Sequence, residues 1–215
     1  MTYTTILWDL DGTIVDSGPG VFASFKHTIA AMNLAPLTDA ELRPLVGPPL
    51  RDSFTEILGM TPDQVEEAIA IYRDFYHADG VLNAAPYPGV IDVIRNVREA
   101  GKTNSLATSK ALAGATIVGE HFGFLELMDF LGTADFAANR SQKTEVVEYA
   151  LAGLAKQGAD LSRVLLVGDR IHDINGARNT GIDVALVKWG FGSPDEWALA
   201  DHVVDSAEDL ARLVL

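Results

Sequence analysis

A chain of 215 residues that is 48% hydrophobic and 21% charged has the make-up of a globular protein, and the lack of cysteine excludes a disulfide framework, a thiolate metal site and a cysteine nucleophile. Thirty acidic against sixteen basic residues give a formal charge of −14. With no Lys/Arg cluster, neither nucleic acid nor an anionic membrane surface is an expected partner. No apolar run nears the ~18 residues of a membrane span. The opening Met1-Thr2-Tyr3-Thr4-Thr5 lacks the basic and then apolar stretches of a signal peptide. A soluble, cytoplasmic protein is the expectation.

In chain order, a first apolar run, Ile6-Leu7-Trp8, stops at Asp9. From Ser17 to about Ala84 only helical periodicity follows. Val21, Phe22, Phe25, Ile29 and Met32 form one stripe, and Val65, Ile69, Tyr72, Phe75 and Tyr76 form a second. Ala35-Pro36, Gly47-Pro48-Pro49 and Thr61-Pro62 separate these helices, with Thr61 and Asp63 placed to cap. A helix carrying Val90, Ile91, Ile94 and Val97 then closes on Gly101, and a strand, Ser105-Leu106-Ala107, leads into Thr108. Ser141 is the expected cap of a helix over 142–156 that closes on Gly158. Val164-Leu165-Leu166-Val167 runs into Gly168-Asp169, and a helix with Ile174, Ala177 and Arg178 closes on Gly181. Val184-Ala185-Leu186-Val187 and His202-Val203-Val204 read as the last strands.

Continuous rather than alternating apolar runs suit strands buried on both faces of a parallel sheet. Their alternation with helices predicts an α/β fold, a doubly wound parallel sheet of Rossmann-like type. Residues 1–16 and 85–215 would form this core, and 17–84 an inserted, all-helical cap domain. Gly18, Pro19, Gly20, Pro86 and Gly89 at the two junctions suit hinges on which the insert rotates as a body.

Ligands of open α/β sheets sit at the carboxyl ends of the strands, where this sequence hangs Asp9 and Asp11, then Thr108 and Ser109, then Asp169 and Asp173. Residues two apart in extended chain project to the same side, so Asp9 and Asp11 can face one point. Close carboxylates repel unless a cation or a shared proton lies between them. An all-oxygen set of Asp9, Asp11, Asp169 and Asp173 suits a hard ion, Mg²⁺ above all. Lys143 stands in the first turn of its helix, where the macrodipole disfavours a cation by about 0.3–1 kcal/mol. A broken local rule of that kind points to a site. Thr108 and Ser109 read as helix N-caps, where free N–H groups also bind anions, and His172 reads as a solvent-exposed helix residue. A carboxylate nucleophile, an anion site, a lysine and a Mg²⁺ nest together suggest phosphoryl transfer.

The stretch Trp8-Asp9-Leu10-Asp11-Gly12-Thr13-Ile14-Val15-Asp16-Ser17 resembles the first motif of the haloacid dehalogenase superfamily, in its DxDGT phosphatases. Thr108, Lys143 and Gly168-Asp169 with Asp173 match its second, third and fourth motifs in order, over essentially the whole chain. Gly47-Pro48-Pro49-Leu50, Pro86-Tyr87-Pro88-Gly89-Val90 and Gly168-Asp169-Arg170 resemble the branch of phosphoglycolate phosphatases and 5′-nucleotidases. Trp8 departs from the apolar residue, often Phe, usual at its position.

The resemblance implies a Mg²⁺-dependent phosphatase that hydrolyses a small phosphorylated metabolite through an aspartyl-phosphate. Asp9 would be the nucleophile. Asp11 would be the general acid and then base, binding Mg²⁺ through its backbone carbonyl. Thr108, Ser109 and Lys143 would hold the phosphoryl group, and Asp169 and Asp173 the metal. Arg51, Lys26, Tyr72 and Tyr76 are the candidates for specificity in the insert. Dehalogenases of this superfamily lack the second Asp, so Asp11 argues against halide chemistry. A sugar phosphomutase remains open on these motifs. A receiver-type signalling domain shares the acidic pocket but needs neither the helical insert nor Asp11.

Overall fold

The computed structural model describes residues 2–215. Its main sheet has six parallel strands. They are β1 (Thr5–Trp8), β4 (Thr103–Ala111), β5 (Phe130–Ala134), β6 (Val164–Gly168), β7 (Asp183–Val187) and β8 (His202–Val204), in the spatial order β5-β4-β1-β6-β7-β8. The central strands β1 and β6 are buried at every residue because helices cover both faces. Helices α5 (Val90–Glu99) and α10 (Ala207–Val214) pack together on one side, and α7 (Lys143–Lys156) and α8 (Ile171–Thr180) on the other. The remaining core helix, α6 (Leu112–His121), follows β4. The doubly wound α/β class expected from the sequence is the class observed.

The sequence reading missed β5. Its run, Phe130-Leu131-Gly132-Thr133-Ala134, is broken by Gly132, where a Cβ would press on Ala150 of α7 and on the Leu106 carbonyl. Close approach of the helix demands the residue that erases the apolar signature. Trp8 is accommodated by a polar network. Its indole N–H donates to Asn104 Oδ1 (2.9 Å), and the Asn104 amide donates to the Ile94 carbonyl (2.9 Å). A buried indole needs such a partner.

Between β1 and α5 the chain makes a short antiparallel pair, β2 (Val15–Asp16) with β3 (Ala85–Pro86). Between those two strands lie only helices and turns. They are α1 (Gly18–Ala31), α2 (Asp39–Leu42), α3 (Leu50–Asp52) and α4 (Pro62–Phe75), with a 3-10 turn at Arg43–Leu45 and π-helical turns at Ser53–Ile57 and Tyr76–Gly80. Their shared core is aromatic. Phe25 lies 5.4 Å from Phe54 and 4.9 Å from Tyr72 between ring centroids. Thr61 is the N-cap of α4, its N–H donating to Gln64 Oε1, whereas Asp63 sits inside the first turn. A last short helix, α9 (Pro194–Trp197), follows β7. No helix among the described residues is long and apolar enough to cross a membrane.

Candidate active site

Asp9 follows β1 directly, and its N–H continues the ladder by donating to the Val167 carbonyl of β6. The carboxylates of Asp9, Asp169 and Asp173 then come together, with one oxygen from each within 4.8 Å of the others. All three residues are buried. Two glycines make the convergence possible. Gly12 turns the chain away at φ +81°, and a Cβ there would fall on the Asp169 carboxylate; a Cβ on Gly168 would fall on that of Asp173. Asp169 Oδ2 accepts the Phe191 N–H (2.6 Å), and Asp173 Oδ2 accepts the N–H groups of Asp169 and Arg170 (both 3.0 Å).

Lys143 is the counter-charge. Its Nζ lies 2.7 Å from Asp9 Oδ1 and 2.8 Å from Asp173 Oδ1, and donates to the Ala107 carbonyl at 3.0 Å. Burial works against its charge, but Asp173 and Asp9 outweigh that and hold its ammonium above the usual lysine range. Burial pushes the Asp9 carboxyl up to about 6 although Lys143 opposes it, with Asp173 and Asp11 adding to the rise. Asp169 is raised well above an ordinary carboxyl by burial and by its neighbours Asp173 and Asp9.

Asp11 is not gathered with the other three carboxylates. Its side chain meets Lys110, whose Nζ lies 3.0 and 2.9 Å from the two Asp11 oxygens and 2.6 Å from the Tyr76 hydroxyl. Lys110 is thus a site residue that the sequence reading passed over. Its signal was the period of two that puts it on the same side of extended β4 as Thr108. Tyr76 belongs to the helical segment, so this lysine joins Asp11 to that segment across the cavity.

Several local expectations are corrected. Thr108 and Ser109 are not helix caps. β4 keeps its pairing with β5 through Thr108, resumes it at Ala111 after an irregularity, and α6 begins only at Leu112. Both residues nonetheless line the cavity in front of Asp9 and Asp11. α7 starts at Lys143 with Gln142, not Ser141, as its N-cap, because the Glu145 carboxylate reaches back to the N–H groups of Ser141 and Gln142 (2.7 and 3.1 Å). Lys143 itself is not on the cavity wall. His172 is half-buried rather than solvent-exposed, beside the loop at Gly47, and that burial holds its imidazole below the ordinary range. Of the four specificity candidates, Tyr72 and Tyr76 line the cavity. Arg51 pairs with Glu66 at 2.6 Å and Lys26 with Asp39, both on the surface.

Contacts far apart in sequence hold the helical segment over the site. Arg43 donates to the Gly190 carbonyl and lies over the Phe191 ring at 5.3 Å. Arg170 donates to the Val46 carbonyl and pairs with Glu196 at 3.2 Å. No sequence signal marks the two arginine–carbonyl pairs, since their members stand more than a hundred residues apart.

Residues 6–187 match the model of the haloacid dehalogenase-like hydrolase family. The chain is 35% identical over 191 residues to a tyrosine-protein kinase, PtkA, of Mycobacterium tuberculosis; the match covers 88% of this chain but 64% of that relative, less than two thirds of its length. It is 31% identical over 216 residues to a pyrophosphatase, PpaX, of Halalkalibacterium halodurans, covering 100% of this chain and 98% of the relative. A solved structure of a predicted phosphatase from Clostridium acetobutylicum superposes with a TM-score of 0.91 at 28% identity, covering 99% of this chain and 98% of that one. Four motifs in order, a matching fold and a family model spanning most of the chain agree: this protein belongs to the haloacid dehalogenase-like hydrolases.

Proposed function

We propose that the protein is a metal-dependent phosphatase that hydrolyses a small phosphate monoester, with Asp9 as its nucleophile. The observation that supports this most directly is the pairing of two carboxylates with different surroundings at one cavity. Asp9 is buried against Lys143 and two further carboxylates, while Asp11 stands beside Lys110. One is held to attack, the other to move protons. The Asp9 carboxylate attacks phosphorus, the bond to the ester oxygen breaks, and Asp11 protonates that oxygen. Asp11 then takes a proton from the water that cleaves the aspartyl-phosphate. Thr108 and Ser109 face the transferring group from the cavity wall.

Asp9, Asp169 and Asp173 offer only oxygen donors in a buried, crowded set, which fits a hard divalent cation such as Mg²⁺. Asp11 would add its backbone carbonyl, as the family resemblance implies. When bound, the ion would offset the carboxylate charge and the charge of the phosphoryl group. The helical segment 17–84 would act as a cap that excludes water during transfer.

The test is rapid-quench trapping of phosphoenzyme. Asp9→Asn is expected to abolish both turnover and acid-labile phosphoenzyme. Asp11→Asn is expected to cut turnover roughly 10²–10⁴-fold while still accumulating phosphoenzyme from an aryl phosphate. Phosphoenzyme on the Asp9 variant would reassign the nucleophile. The kinase name of the mycobacterial relative favours a second reading, transfer to a hydroxyl instead of water. Partition of the phosphoenzyme between water and an added tyrosyl peptide separates the two.

A further inference from the structure

The cavity in front of Asp9 and Asp11 has a volume of about 380 Å³, far more than a two-carbon acid fills. Away from Asp9, Asp11, Thr108 and Ser109, the walls include Phe25, Tyr72, Tyr76, Phe136, Val46 and Leu50. Tyr72 and Tyr76 stack with their rings 5.7 Å apart at 16°.

The cations of this wall decide what can enter. Among the described residues lining it, the basic side chains are Lys110, Arg73 and His77. Lys110 already places its ammonium against both Asp11 oxygens and the Tyr76 hydroxyl. Arg73 and His77 are exposed, and Arg73 lies over the Phe136 ring at 5.1 Å. A second anionic group close to the phosphorus, as in phosphoglycolate or pyrophosphate, would therefore find one buried basic side chain on this wall, Lys110, and that one is already paired with Asp11. Burying an unpaired charge in that way is strongly unfavourable. An uncharged ring would instead meet aromatic partners in the offset and edge-on arrangements they favour.

On the phosphatase reading above, we propose that the substrate is a monoester whose leaving group is uncharged near the phosphorus and carries an aromatic ring. The 215-residue chain with Mg²⁺ should release phosphate from benzyl phosphate with kcat/KM about tenfold or more above that for phosphoglycolate or pyrophosphate. Benzyl and glycolyl esters both expel alkoxides, so the comparison reads the pocket. Equal or faster hydrolysis of phosphoglycolate or pyrophosphate overturns the proposal.

Leu50→Arg, which places a cation on the half-buried wall, should shrink the benzyl-to-glycolate ratio about tenfold; an unchanged ratio in a folded variant counts against the proposal. Calorimetric binding of benzylphosphonate and 3-phosphonopropionate to the unmutated protein gives a measure free of both turnover and mutation. Tighter binding of benzylphosphonate is expected, and tighter or equal binding of the carboxylate overturns the proposal. No phosphate release from any ester, with that binding preference intact, removes the hydrolase reading and leaves the pocket inference standing.

Discussion

Lys143 directs its ammonium to Asp9, Asp173 and the Ala107 carbonyl. To touch a phosphoryl oxygen it must exchange one of these partners, so its resting task is to neutralise the carboxylates. Lys143→Met leaves buried carboxylates without their cation, and removing one partner of a buried pair costs about 3–5 kcal/mol. Urea denaturation at pH 7 in chelator should show a loss of that order. Added Mg²⁺ should recover part of it, because the ion supplies the missing charge. Asp9 sets a pH dependence. Its folded value of about 6 lies above its ordinary 3.8, so the folded state binds the proton more tightly than the unfolded state. Its contribution to stability therefore falls as pH rises from about 4 to about 6 and stays at its lowest above that. In chelator, Asp9→Asn should have the higher Tm at pH 7, and the gap to the unmutated protein should narrow on lowering the pH to 5. A gap that widens on acidification would show that Asp9 is ionised more easily in the folded chain.

At the level of elements, the turn out of β1 is the most constrained piece of the site. Gly12 meets two demands at once, a φ of +81° and the approach of Asp169 to the backbone. Gly12→Ala faces a conformation that L residues rarely adopt and a Cβ placed on the Asp169 carboxylate. Strain at such a position costs of order 1–3 kcal/mol. Thermal denaturation should show this loss, and the displaced Asp169 should raise the Mg²⁺ concentration needed for half-maximal phosphate release. A stability loss with an unchanged Mg²⁺ titration would place the metal away from Asp169.

Across the whole molecule, the proposed cap is tied to the core through backbone carbonyls as well as side chains. Arg43 holds the Gly190 carbonyl, Arg170 the Val46 carbonyl, and Tyr76 reaches Lys110. These polar contacts add to apolar ones, since Phe22 meets the Phe191 ring edge-on at 6.4 Å and the buried side chains of the segment share one hydrophobic cluster with those of the core. Arg43→Ala should speed hydrogen exchange over residues 42–50 by roughly tenfold, the value of a ~1.4 kcal/mol contact. Protection in β1, β6 and α7 should not change. Unchanged exchange at 42–50 would show that other contacts hold that loop.

The strands β1, β6 and β7, the helices α5, α7 and α8 and the acidic residues at the strand ends were all legible in the sequence. Each rests on local patterning: apolar runs, a 3.6-residue period, glycines after helices and carboxylates two apart. β5 was hidden because Gly132 must let α7 approach. The caps at Thr108 and Ser141 were misplaced because sheet pairing and the Glu145 side chain outcompeted local propensity. That Asp11 turns to Lys110, that two arginines clasp the helical segment, and that the cavity wall lacks a free buried cation were decided only in three dimensions. Such contacts join residues dozens to more than a hundred positions apart, and no local rule carries information over that distance.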